Sequence, residues 1–124
     1  MISYKIENNG IIEVVFTGNI TSKDIIDWLS EFSNVPNLPQ KINLLYDLKN
    51  ACLLIDMIKL IQITKKTEEA TSKFERVRTV FLINESERST YSTLFSFLDV
   101  NGKTTRKLFT DLAKAQQWLL KDDN

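Results

Sequence analysis

The sequence predicts a single α/β domain, with helices alternating with short apolar strands behind an N-terminal hairpin. Three observations carry this. The chain has 124 residues, close to the commonest size of one domain. It is 43% hydrophobic and 26% charged with only 3 Gly and 2 Pro, the make-up of a globular chain rather than a low-complexity one. Apolar residues recur every second position in some segments and every third or fourth in others. The order read from these patterns is β-β-α-β-α-β-α-β-α over residues 1–124, with no internal repeat and no dividing linker.

The opening alternates Ile2, Tyr4 and Ile6 with Ser3, Lys5 and Glu7, so one face of a strand is apolar. Asn9-Gly10 tolerates positive φ and predicts a tight two-residue type I′ turn. The return strand runs from Ile11 to Thr17 and stops at Gly18. Thr21 or Ser22 caps a first helix, Asp24 completes a capping box, and Ile25, Trp28, Leu29 and Phe32 form its core stripe. Pro36 and Pro39 mark a loop. Lys41–Asp47 reads as a strand buried on both faces, followed by a helix from about Asp56 to Thr67 or somewhat beyond. Val77–Ile83 is the most apolar run and is expected at the centre of the sheet. Ser86–Val100 reads as a helix with Tyr91, Leu94, Phe95 and Leu98 on one side, closed by Asn101-Gly102. Thr104–Phe109 is a last strand, and Asp111 caps a final helix carrying Leu112, Ala115, Trp118 and Leu119. Helical crossovers between strands imply parallel pairing, with the hairpin strand antiparallel at an edge.

Composition narrows function by exclusion. Sixteen basic residues balance sixteen acidic ones, so no global field favours nucleic acid or an anionic membrane. There is no His, the commonest general base and metal ligand, and one Cys. No glycine-rich phosphate loop can be assembled from three glycines. No apolar run reaches the roughly 20 residues of a membrane span, and the N-terminus lacks a signal-like core. A cytoplasmic protein without cofactor, metal or catalytic activity is the expectation.

Two regions stand out as candidate sites. A polar rim is expected at the carboxyl ends of the parallel strands, where open α/β sheets meet ligands: Asp47, Lys49, Asn50 and Cys52 after one strand, Asn84, Glu85 and Ser86 after the next. Strand termination and helix capping account for most of it, and Cys52 has no base to activate it. The second helix is the stronger lead. Its apolar positions span an arc of about 220°, more than a helix covering one side of a sheet requires. Met57, Ile58 and Ile61, preceded by Leu53, Leu54 and Ile55, therefore form a candidate interaction surface for a protein partner or a second copy. The alternative is a pocket for a lipid or other apolar small molecule, of about 300 Å³ or more, lined by Leu53, Leu54, Met57, Ile58, Tyr91 and Phe95. The basic residues Lys59, Lys65, Lys66, Lys73, Arg76 and Arg78, interspersed with Glu68, Glu69 and Glu75, read as a solvated face.

The element order, together with the local text, resembles the SpoIIAA-like group related to STAS domains. The matching stretches are Phe16-Thr17-Gly18-Asn19-Ile20-Thr21, Leu44-Leu45-Tyr46-Asp47-Leu48, Val80-Phe81-Leu82-Ile83, and Lys107-Leu108-Phe109-Thr110-Asp111 entering Ala115 to Leu119. The resemblance implies a βα superhelix and a non-catalytic, regulatory role in protein binding. Anti-sigma factor antagonists of this kind are switched by phosphorylation of a serine at the start of the helix after the Asp-Leu strand end. Here Asp47-Leu48 is present and Asp56 matches the family's aspartate, but Met57 and Ile58 occupy the serine positions and Lys59 follows. Without a hydroxyl there is nothing to phosphorylate, and the expectation becomes constitutive association.

Overall fold

The structure, a computed structural model, describes residues 1–95 and 104–121, with side chains described through residue 93 in the first of these segments. Five strands form one sheet in the order β1-β2-β3-β4-β5: β1 Ile2–Ile6, β2 Ile11–Thr21, β3 Lys41–Leu54, β4 Arg76–Leu82 and β5 Thr104–Phe109. The helices are α1 Ser22–Ser33, α2 Met57–Thr71, α3 Arg88–Phe95 after a short 3-10 turn, and α4 Leu112–Leu120. β1 is antiparallel to β2 at one edge, and β2 to β5 are mutually parallel. The predicted order is thus observed, although β3 rather than β4 holds the middle of the sheet. β4 is still interior, buried on both faces. The expected Asn101-Gly102 cap, Leu98 and the Asp122-Asp123 tail lie outside the described residues.

The hairpin differs from expectation in its turn. Gly10 N–H donates to the Glu7 carbonyl at 3.0 Å and Glu7 N–H to the Ile11 carbonyl at 2.8 Å, leaving three loop residues. Only Gly10 among them has positive φ (+89°), the pattern of a type I turn followed by a left-handed glycine. Asn9 contributes through its side chain instead, accepting the Ile11 N–H at 3.0 Å.

The second difference is the length of β2 and β3. Thr17-Gly18 does not end β2, because Gly18 takes φ +73° and the strand continues to Thr21. Val15 pairs with Asp47 but Thr17 with Asn50, so two steps along β2 match three along β3. That is a β-bulge, and the Asp47 carboxylate accepts the Lys49 N–H at 3.1 Å inside it. Beyond the bulge, Ala51, Leu53 and Ile55 face the core and Asn50, Cys52 and Leu54 are exposed. β4 makes its last pairing opposite Asp47, so the β2–β3 ribbon projects past the rest of the sheet and delivers the chain to the start of α2.

Core residues divide by face. Ile12, Val14 and Phe16 of β2, Leu44 of β3 and Val77 and Phe81 of β4 pack with α1 and α2. Ile11, Leu45, Val80 and Leu82 pack beneath α4 through Ala115 and Leu119. α1 enters through the predicted capping box, in which Thr21 Oγ1 accepts the Asp24 N–H and the Asp24 carboxylate accepts the Thr21 N–H at 2.9 Å. Its stripe behaves as read, with Trp28, Leu29 and Phe32 buried and Ile25 partly so. At the other end of the chain Leu112 is instead 44% exposed.

Candidate functional site

The expected polar rim does not assemble as a site. Asp47, Lys49, Asn50 and Cys52 lie within β3 rather than beyond it, because the bulge lets the strand continue. Asn84 does follow β4, but its amide donates to the Lys49 carbonyl at 2.9 Å and to Glu87 at 3.1 Å, tying the projecting ribbon to the 3-10 turn. Glu85 accepts from Arg88 Nε and Nη2 at 3.1 and 3.3 Å, and those bonds keep its carboxyl below the usual range. Ser86 sits exposed inside the turn rather than capping it; the cap position belongs to Asn84. Cys52 is a free, exposed thiol. Each polar group is thus spent on local structure or faces solvent. No cluster of acidic or thiol ligands suited to a metal ion occurs among the described residues.

The basic run also separates. Arg78 leaves it altogether, lying on β4 at 7% exposure and donating to the carbonyls of Leu119 and Lys121 at 3.3 and 2.7 Å. Arg76 bonds Asn43, and Lys73 donates to the Ser33 carbonyl. Only the lysines of α2 remain with that helix.

On α2 itself the broad apolar arc resolves into two faces. Asp56 caps the helix, its carboxylate accepting the Lys59 N–H at 2.8 Å. Leu60 and Ile63 turn to the sheet and are 3% and 6% exposed. Met57, Ile58 and Ile61 turn away, at 50%, 71% and 64% exposed. Residues three and four apart share a helix face, so these three form one apolar patch, extended along the helix by exposed Lys65. Leu54, 53% exposed, ends β3 just before it. Leu53 and Ile55 were expected on the same surface, but the alternation of β3 turns them inward against the core.

Those two residues instead border a partly enclosed cavity of about 70 Å³ between the sheet and the α1–α2 layer. It is smaller than the pocket envisaged and differently placed: Leu54, Met57, Ile58 and Tyr91 do not line it, and the Phe95 side chain lies outside the described residues. Its walls are apolar toward α1, with Ile25, Trp28, Leu29 and Phe32. Toward β5 they become polar, with Thr67 and Thr71 of α2 above and Thr79, Thr104 and Arg106 of the sheet below. Tyr46 stands between the two ends. Its phenol accepts the Trp28 indole N–H at 3.3 Å and is pushed above its ordinary pKa by burial, with the Arg106 charge acting in the opposite direction. Sequence reasoning missed this polar end, since it depends on which face of β4 and β5 the helices cover.

A search of solved structures finds the same architecture in an uncharacterised DUF3478-family protein with a SpoIIAA-like fold from Shewanella loihica PV-4. The two are 18% identical, the match covers 96% of this chain and 92% of that one, and the TM-score is 0.58. No family model matches the sequence, and no curated protein does. The fold of this chain is SpoIIAA-like. No helix among the described residues is long and apolar enough to cross a membrane.

Proposed function

We propose that the protein is a non-catalytic interaction module that associates through the outer face of α2, with a second copy of itself as the occupant. The observation that carries this is the exposure of Met57, Ile58 and Ile61 on a helix whose buried residues are Leu60, Ile63, Ala70 and Thr71. The fold does not require apolar residues at those three positions, and water disfavours them. Charge placement favours self-docking. Exposed Asp56 lies at one end of the patch and exposed Lys65 at the other. A two-fold axis through the patch runs the two helices antiparallel, stacks Ile58 over the partner copy's Ile61, and carries each Lys65 toward the opposite Asp56 end. A parallel arrangement sets Lys65 against Lys65. Met57 and Ile58 occupy the helix start where anti-sigma factor antagonists carry their phosphorylated serine, so this contact has no phosphate to break it.

Sedimentation equilibrium over micromolar to millimolar protein tests the reading. Wild type is expected at twice the monomer mass, Ile58→Asp at the monomer mass with an unchanged melting temperature. A wild-type chain that stays monomeric throughout overturns it.

A second reading, binding of an apolar small molecule, draws support from a different observation: the cavity bordered by Leu53 and Ile55 and walled by α1.

A further inference from the structure

We infer that the apolar end of this cavity takes a compact, uncharged hydrocarbon of about three or four carbons, seated between α1 and the sheet. The inference rests on the second reading above and names the ligand class for it. The walls at this end come from three sides of one core: Ile25, Leu29 and Phe32 of α1, Ile63 of α2, and Leu44 and Val77 of the sheet.

Polarity decides the class. The Trp28 indole N–H is spent on the Tyr46 phenol at 3.3 Å. Thr67 and Thr71 donate their hydroxyl protons to the carbonyls of Ile63 and Thr67, both at 2.8 Å, within their own helix. Arg106 already has an interaction partner. Burial holds the Tyr46 phenol above its ordinary pKa, so it stays protonated and uncharged near neutrality. A charged ligand entering the α1 end loses its hydration and finds carbon in its place. A water molecule needs about two to four polar partners, which walls of aliphatic and ring carbon do not supply. A hydrocarbon has neither requirement, and it gains the dispersion contacts that an unfilled space forfeits. Size sets the rest. An engineered void of ~150 Å³ lined by Leu, Ile and Phe admits benzene, and about 70 Å³ is roughly half of that. Six ring carbons are therefore too many, and about three or four fit.

Methyl-group NMR titration of the full chain with butane, butanoate and benzene tests this. Butane is expected to shift the methyls of Leu29, Leu44, Ile63 and Val77 saturably, while those of Val80, Leu82 and Leu119, on the other face of the sheet, stay in place. Butanoate, the same chain with a charge, and benzene, a larger ring, should each bind at least about tenfold more weakly. Val77→Ile adds a methylene to the wall and should weaken butane binding about tenfold. If butanoate matches butane the uncharged assignment falls, and if benzene matches it the size assignment falls, with the apolar-ligand reading standing in both cases. If Val77→Ile binds butane as wild type does, the seat between α1 and the sheet is wrong. If no probe binds saturably, the inference and the reading fall together.

Discussion

Arg78 is a charged side chain set between Val77 and Thr79 on an interior strand, and it is buried because α4 needs it. The last carbonyls of a helix lack intrahelical partners and carry the negative end of its dipole. Arg78 supplies both proton donors and charge to them, reaching the carbonyls of Leu119 and Lys121 from below. Arg78→Met keeps the volume and removes the donors, so it should cost about 2 kcal/mol in urea unfolding, the range for hydrogen bonds to a charged group. An unchanged midpoint would show that water satisfies those carbonyls. Thr21 plays the matching part at a helix start: Thr21→Ala should cost about 1 kcal/mol by loss of its cap. Its partner Asp24 gives that cap a pH dependence. The bond from the Thr21 backbone holds the Asp24 carboxyl below its ordinary 3.8, so its stabilisation is complete above that pH and disappears as pH falls through the lower folded value. The stability difference between wild type and Asp24→Asn should accordingly be constant near neutrality and shrink in acid.

At the scale of elements, α2 carries a buried and an exposed apolar face, and neighbouring residues separate them. Leu60→Ala removes a side chain that is 3% exposed and should cost about 2–5 kcal/mol, whereas Ile61→Ala, 64% exposed, should change monomer stability by less than about 0.5 kcal/mol. Chemical denaturation of both variants in dilute solution measures this, and comparable losses would mean that Ile61 is packed after all. The excess apolar arc of this helix was legible in its sequence, since an amphipathic stripe and a surplus stripe differ by counting alone. The extended β3 was not. Leu48-Lys49-Asn50 breaks the period of two at the bulge, and Cys52 and Leu54 are apolar although they face outward, so the alternation with Ala51, Leu53 and Ile55 is masked. The hairpin turn likewise hid in Asn9-Gly10, a pair that serves a two-residue turn or, as here, the last two positions of a three-residue one. Thr79 and Arg106 gave no sign in the sequence that they would line the cavity. A threonine within an apolar run and an arginine within an alternating strand acquire meaning only once the helices covering that face are known.

For the whole molecule, the sheet separates two cores of unequal size while belonging to both. Ile11 and Ile12 are consecutive, yet the first packs with Leu119 beneath α4 and the second with α1 and α2, both at 2% exposure. The pleat makes chain neighbours strangers and brings together residues more than a hundred positions apart. Stability changes should follow the cores and not the chain. Ile12→Val combined with Leu119→Ala should add within about 0.5 kcal/mol, because the sheet lies between them. Ile11→Val combined with Leu119→Ala should depart from the sum by about 0.5 kcal/mol or more, because both reshape one small cluster in which a void made by one can be filled by relaxation around the other. Every variant should nonetheless unfold in a single transition, since β3 and β4 contribute Leu44 and Val77 to one core and Leu45 and Val80 to the other, and neither layer can be lost without unpairing those strands. Two resolved transitions in the Leu119→Ala variant, with α4 melting first, would show instead that Arg78 and the six-residue cluster form a detachable layer.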